Sequence, residues 1–214
     1  LALLAYDPAV RPSSPSEVRS AARSANGHVV CRSDDLRVRL AFHCGTPLSP
    51  AQHDRHGWNA QAWYGIAHSG SFSWRVGGRE VLPAMIKSYR RMTAHANLLS
   101  IDGAGHRVHG RWLGMALPLE HTSRIVRFAH AESVTFCHAD SRGAYDDALG
   151  VLRLERQWLF LHAPGVLVMH DVVETAGEHE FAWNLTSHTP WRQEAADLFA
   201  TGTGRHEAHV RLLP

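Results

Sequence analysis

Residues Gly70–Gly105 read GSFSWRVGGREVLPAMIKSYRRMTAHANLLSIDGAG. Ser71–Val76 carries apolar residues at every second place, Phe72, Trp74 and Val76, which is the period of a strand with one buried face. Gly77-Gly78 follows, then Glu80–Leu82 in the same style. Two glycines supply the positive φ angles of a tight hairpin, so this segment predicts two antiparallel strands. Asn97–Ile101 predicts another strand, ended by Asp102-Gly103. Between them lie a basic loop with Lys87, Tyr89, Arg90 and Arg91, and the segment Thr93-Ala94-His95-Ala96-Asn97.

The same signals extend outward. His28–Arg32 and Leu36–Phe42 read as strands, the second with Leu36, Val38, Leu40 and Phe42 on one face and Arg37 and Arg39 on the other. Further strands are expected at 123–129, 133–137, 150–155, 157–161, 166–173, 180–185 and 209–213, with Ala163-Pro164-Gly165 turning the chain between two of them. Short strands separated by frequent turns predict an all-β fold, an antiparallel β-sandwich or barrel. The absence of strand–helix alternation argues against Rossmann and TIM architectures. Upstream, Pro8, Pro12 and Pro15 break regular structure, and a brief helical turn is expected over Ser16–Arg23. Residues 1–26 are therefore expected to be a connector and 27–214 the β domain.

The chain has 214 residues, 44% hydrophobic and 20% charged, a composition that suits one globular domain with a sizeable core. A formal net charge of +2 is too mild to argue for a nucleic-acid partner on its own, and no basic stripe for one is present. The 17 histidines would add positive charge at mildly acidic pH and favour an anionic partner there, although histidine-rich composition accounts for them equally well. Cys31, Cys44 and Cys137 form no CxxC pair, which excludes a zinc knuckle; one disulfide or three buried thiols both fit. No stretch approaches a membrane-spanning length, and no signal peptide is expected; the chain opens at Leu1 and reads as a piece of something longer. There is no Gly-x-Ser-x-Gly elbow, phosphate loop or GxGxxG.

Several motifs occur in a telling order. Leu4-Ala5-Tyr6-Asp7-Pro8, Cys31-Arg32-Ser33-Asp34 and Leu40–Gly45 come first, followed by Gly70-Ser71-Phe72, Gly77-Gly78-Arg79, Thr93–Asn97 and Ile101–Gly105. Leu159–Gly165, Val168–Val173 and Phe181-Ala182-Trp183 close the series. This order resembles the C-terminal region of the heparinase II/III-like polysaccharide lyases. The resemblance implies a supersandwich-like antiparallel β-sandwich that normally packs on an N-terminal α/α toroid. It also implies an anionic polysaccharide such as a glycosaminoglycan as partner, cleavage of uronic-acid units by β-elimination, and a periplasmic or secreted location.

By the same resemblance, His95 matches the histidine of the family's Thr-x-x-His-Asn segment, near its cleft and metal. The chain departs from that pattern: Ala96 stands where Asn is usual, and Asn97 comes one place later. Tyr89 is the second catalytic candidate, against a buried or edge tyrosine. Arg90 and Arg91 suit a carboxylate or sulfate because guanidinium bonds such groups bidentately, against a solvated strand end. Asn97 and Trp63 complete the substrate-binding candidates. Trp63 belongs to a loop, 46–62 and its continuation, rich in His, Asp and aromatic residues, where stacking on sugar or plain loop packing are both open. The family's metal site places His-x-Asp before Gly-Ser-Phe and a further Asp after the hairpin; here Ile66, His68 and Ala84 stand there. His68 and His95 are the metal candidates, with Zn as the ion and a third ligand needed from elsewhere. His106 and His109 are expected to be exposed, and Trp112, Trp158, Trp183 and Trp191 to lie in the core or at an interface. Two readings follow: a lyase sandwich, or a non-catalytic carbohydrate-binding or assembly module whose site has decayed.

Overall fold

A computed structural model describes residues 21–24, 26–45, 69–86, 92–107 and 123–213. Strands β1 (Ala21–Arg23), β2 (His28–Arg32), β3 (Val38–His43), β4 (Phe72–Val76) and β5 (Arg79–Leu82) form one antiparallel sheet in that order. After β6 (Leu99–Ile101), strands β7 (Arg124–His130), β8 (Val134–Asp140), β9 (Val151–Leu161) and β10 (Val166–Thr175) form a second sheet, ordered β10-β9-β8-β7. β11 (Phe181–Trp183) pairs with β6, and β12 (Arg192–Ala195), β13 (Leu198–Thr203) and β14 (His206–Arg211) make a third antiparallel unit. The described residues are nearly all β, the sheets are open, and the architecture is a β-sandwich rather than a barrel.

Alternation builds the core. Val29, Phe42 and Phe72 sit opposite one another across β2, β3 and β4, as do Cys31, Leu40 and Trp74 in the next rank. All six are buried and face Cys137, Ala139, Trp158 and Phe160 of the second sheet. Phe42 meets Trp158 edge-on at 5.4 Å and Trp74 meets Phe160 at 5.9 Å, the geometry that aromatic quadrupoles favour. The β4–β5 turn is the predicted one: Gly77 and Gly78 take φ of 58° and 82°. All three cysteines are buried free thiols; burial pushes Cys31 and Cys137 up to about 12 and raises Cys44 as well.

Four expectations need correction. Residues 21–23 are strand, not the end of a helical turn, because their backbone pairs with Val29–Cys31. Leu36 is not on the strand: it turns at φ 58° and stays 48% exposed, so β3 begins at Val38. The segments 150–155 and 157–161 are one eleven-residue strand, β9, running straight through Arg156. Further along, β12 and β13 add two strands to those expected; Arg192, Gln193 and Glu194 of β12 show no apolar alternation. Among the tryptophans, Trp158 is core, Trp191 packs against it, and Trp183 is 38% exposed.

Candidate functional site

His95 closes a single 3-10 turn, Thr93–His95. The turn is clamped on two sides. The Ile86 N–H donates to the His95 carbonyl at 2.8 Å, and the His106 N–H donates to the Thr93 hydroxyl at 3.0 Å. Gly105 is required here because a Cβ at that position would stand 2.4 Å from Thr93 Oγ1. The His95 side chain is half-buried, and its buried Nδ1 has no hydrogen-bond partner among the described residues. A buried ring nitrogen without a partner costs about 1–3 kcal/mol, so this atom is open to a ligand or to a partner from beyond the described residues.

Two residues further on, Asn97 is fully buried and its side chain is committed. Its amide donates to the carbonyls of Phe72 at 2.7 Å and Pro83 at 3.0 Å. Its Oδ1 accepts from the Thr186 N–H at 2.6 Å and hydroxyl at 2.9 Å. Asn97 therefore ties the β4–β5 hairpin to the segment after β11.

The anchor beneath both is Arg156, which the sequence did not announce. Its Nη1 donates to the carbonyls of Gly70 and Asn97, each at 2.7 Å. Its Nε and Nη2 grip the Asp171 carboxylate at 2.8 and 2.6 Å. Burial opposes charge on this guanidinium, and the Asp171 carboxylate outweighs it, holding Arg156 above its ordinary value. Asp171 lies in mid-strand on β10, cross-strand from Arg156, so the pair bolts the second sheet to the Gly70–Asn97 stretch. Arg156 sits among Arg153, Glu155 and Gln157 in the sequence, so only the pairing register singles it out as the partner of Asp171.

His106 is corrected from exposed to buried: it is 1% exposed and packs edge-on to Tyr145 at 5.0 Å. Trp63, His68, Tyr89, Arg90, Arg91, His109 and Trp112 lie outside the described residues, as does the loop 46–62. For zinc, His95 offers one open nitrogen, while Ala84 brings no donor side chain where a carboxylate would be needed. No group of three His, Cys, Asp or Glu among the described residues could hold a metal ion. A protein zinc site takes three or four ligands, so the described residues do not by themselves fit one.

With this geometry the sandwich can be set beside known structures. It is similar to part of heparinase III. Heparan sulfate lyase HepC from Pedobacter heparinus matches with a TM-score of 0.60 at 12% identity, over 89% of this chain and 28% of that one. A heparinase III with methylated lysines matches at TM-score 0.59 and 11% identity, over 86% of this chain and 26% of its own. Another heparinase III structure matches at TM-score 0.55 and 12% identity, over 83% and 26%. The chain thus spans little more than a quarter of the heparinase III structures it matches, and at this identity the likeness is one of fold. No protein-family model matches the sequence, and no curated protein matches it either.

Proposed function

We propose that this chain is the β-sandwich portion of a polysaccharide lyase that cleaves uronic-acid-containing anionic polysaccharide by β-elimination. The observation that carries the reading is the unpartnered Nδ1 of His95, held on a clamped turn within a sandwich of heparinase III type. In β-elimination a base removes the C5 proton, the C5–H electrons form the C4–C5 double bond, the C4–O bond breaks, and an acid protonates the departing oxygen. The C5 proton becomes removable when cationic or hydrogen-bonding groups neutralise the adjoining carboxylate. In this proposal His95 and Tyr89 carry the proton transfers, Arg90 and Arg91 hold the carboxylate, and Trp63 offers a stacking face. Asn97 acts from behind, fixing the turn on which His95 sits. An α/α toroid would complete the cleft, and a periplasmic or secreted location fits the substrate.

Zinc at His68 and His95 belongs to the same proposal but to none of its steps. The second reading, a carbohydrate-binding module with a decayed site, is favoured by Ala84 in place of a carboxylate. Incubating the full-length protein with heparan sulfate, hyaluronan, alginate and chondroitin separates the two. Lyase activity gives unsaturated uronate ends on at least one polymer, and a chelator arm tests the metal. Binding without unsaturated ends on any polymer supports the module instead.

A further inference from the structure

An open pocket of about 680 Å3 lies where the end of β8, the start of β9 and the segment after β10 converge. That volume falls within the range of small-ligand sites, roughly 300–1,000 Å3. Its charged lining is Arg107, Arg124, Arg142, Asp140, Asp146 and Asp147, and Val151, Leu152 and Ala176 add aliphatic surface. Leu152 keeps 48% of its surface exposed there, an apolar wall facing solvent beside polar groups.

The charges are not equivalent. Arg107 is locked: Nε donates to the Gly143 carbonyl at 3.1 Å, while Nη1 and Nη2 hold the Asp147 carboxylate at 2.7 and 2.5 Å. Arg124 pairs with Asp140 at 3.1 Å. Asp146 accepts the Ala148 N–H at 3.0 Å and caps its own turn, and the other Asp140 oxygen accepts the Arg142 N–H at 3.1 Å. Each carboxylate is therefore engaged. The Arg142 side chain is exposed and makes no ion pair among the described residues. A guanidinium unpaired beside two paired ones selects an anion, and bidentate geometry suits a carboxylate or sulfate. The aliphatic wall suits the C–H face of a sugar ring.

The pocket is also continuous with the His95 turn through the backbone. The Arg107 N–H donates to the Ala144 carbonyl at 2.9 Å, the Asp146 N–H to the Gly105 carbonyl at 3.1 Å, and Gly105 presses on Thr93. Resting on the polysaccharide reading above, we propose that this pocket is a second saccharide subsite, with Arg142 taking the carboxylate or sulfate of one acidic sugar unit.

Calorimetric titration of the chain with a uronate-only tetrasaccharide and with its sulfated counterpart tests this. Arg142→Glu is expected to weaken binding about tenfold or more, since it replaces a charge-assisted bidentate contact with repulsion. Arg142→Lys retains part of the affinity, because it keeps the charge and loses the fork. Arg205→Glu, a charge reversal in the exposed turn between β13 and β14, leaves binding unchanged. The two sugars show which anion Arg142 takes. Arg142→Glu binding as tightly as the unaltered chain overturns the subsite and leaves the lyase reading standing. Failure of the unaltered chain to bind either sugar overturns the subsite as well, whereas the lyase reading stands or falls on the unsaturated ends formed by the full-length protein.

Discussion

Asn97 shows why a residue type can be legible while its work is not. In the sequence it is a polar residue beside the candidate histidine. In the fold it makes four side-chain hydrogen bonds in a fully buried place. Asn97→Ala would strand several buried partners and is expected to cost about 3 kcal/mol or more of folding stability in a denaturant titration. An unchanged midpoint would show that the side chain is free to serve a ligand. His95 was legible because its motif is local. Its open Nδ1 was not, since it depends on what the turn excludes. The burial of His106 is hidden for the same reason: nothing nearby in sequence says that Tyr145 packs against it.

Among the elements, those with local chemistry were readable. Gly77-Gly78 and Ala163-Pro164-Gly165 turn the chain where expected, with Gly165 at φ 60°. In sequence β9 reads as two strands because a charged residue in its middle looks like an interruption. Arg156 is instead neutralised from β10, a partner fifteen residues away that only register brings opposite. Removing one member of a buried ion pair leaves the other charge stranded. Arg156→Ala is thus expected to cost about 3–5 kcal/mol in the same kind of titration, and Arg156→Met combined with Asp171→Leu distinctly less. Equal losses in the single and double variants would contradict the account of Arg156 as a paired anchor. β12 stayed invisible for another reason: its four residues are all exposed and its pairing with β13 runs through the backbone, which leaves no side-chain period to read.

At the scale of the whole molecule, acid is the expected weak point. The Ser33 hydroxyl and the Arg37 N–H hold Asp35 below the usual carboxylate range, His179 and the Glu180 N–H do so for Asp102, and Arg153 does so for Glu155. A carboxylate depressed in the fold stabilises it above its unfolded value, about 3.9 for Asp and 4.3 for Glu, and that contribution is lost as pH falls through the folded value. The melting temperature should therefore drop as pH is lowered below about 4; a melting temperature that holds or rises there would contradict these pairings. The sandwich itself was legible from alternation and turns, and the likeness to heparinase III structures agrees with it. The candidate site was only partly legible, because the buried ties behind His95, from Arg156, Asp171 and Thr186, come from segments far away in the chain. The claim that matters most is that His95 takes part in elimination. It is tested by following the ultraviolet absorbance of unsaturated uronate ends as the full-length protein and its His95→Ala variant act on uronate polysaccharides. The account predicts a rise with at least one polymer that the variant loses while still melting cooperatively. No rise with any polymer, or a rise the variant keeps in full, would contradict it.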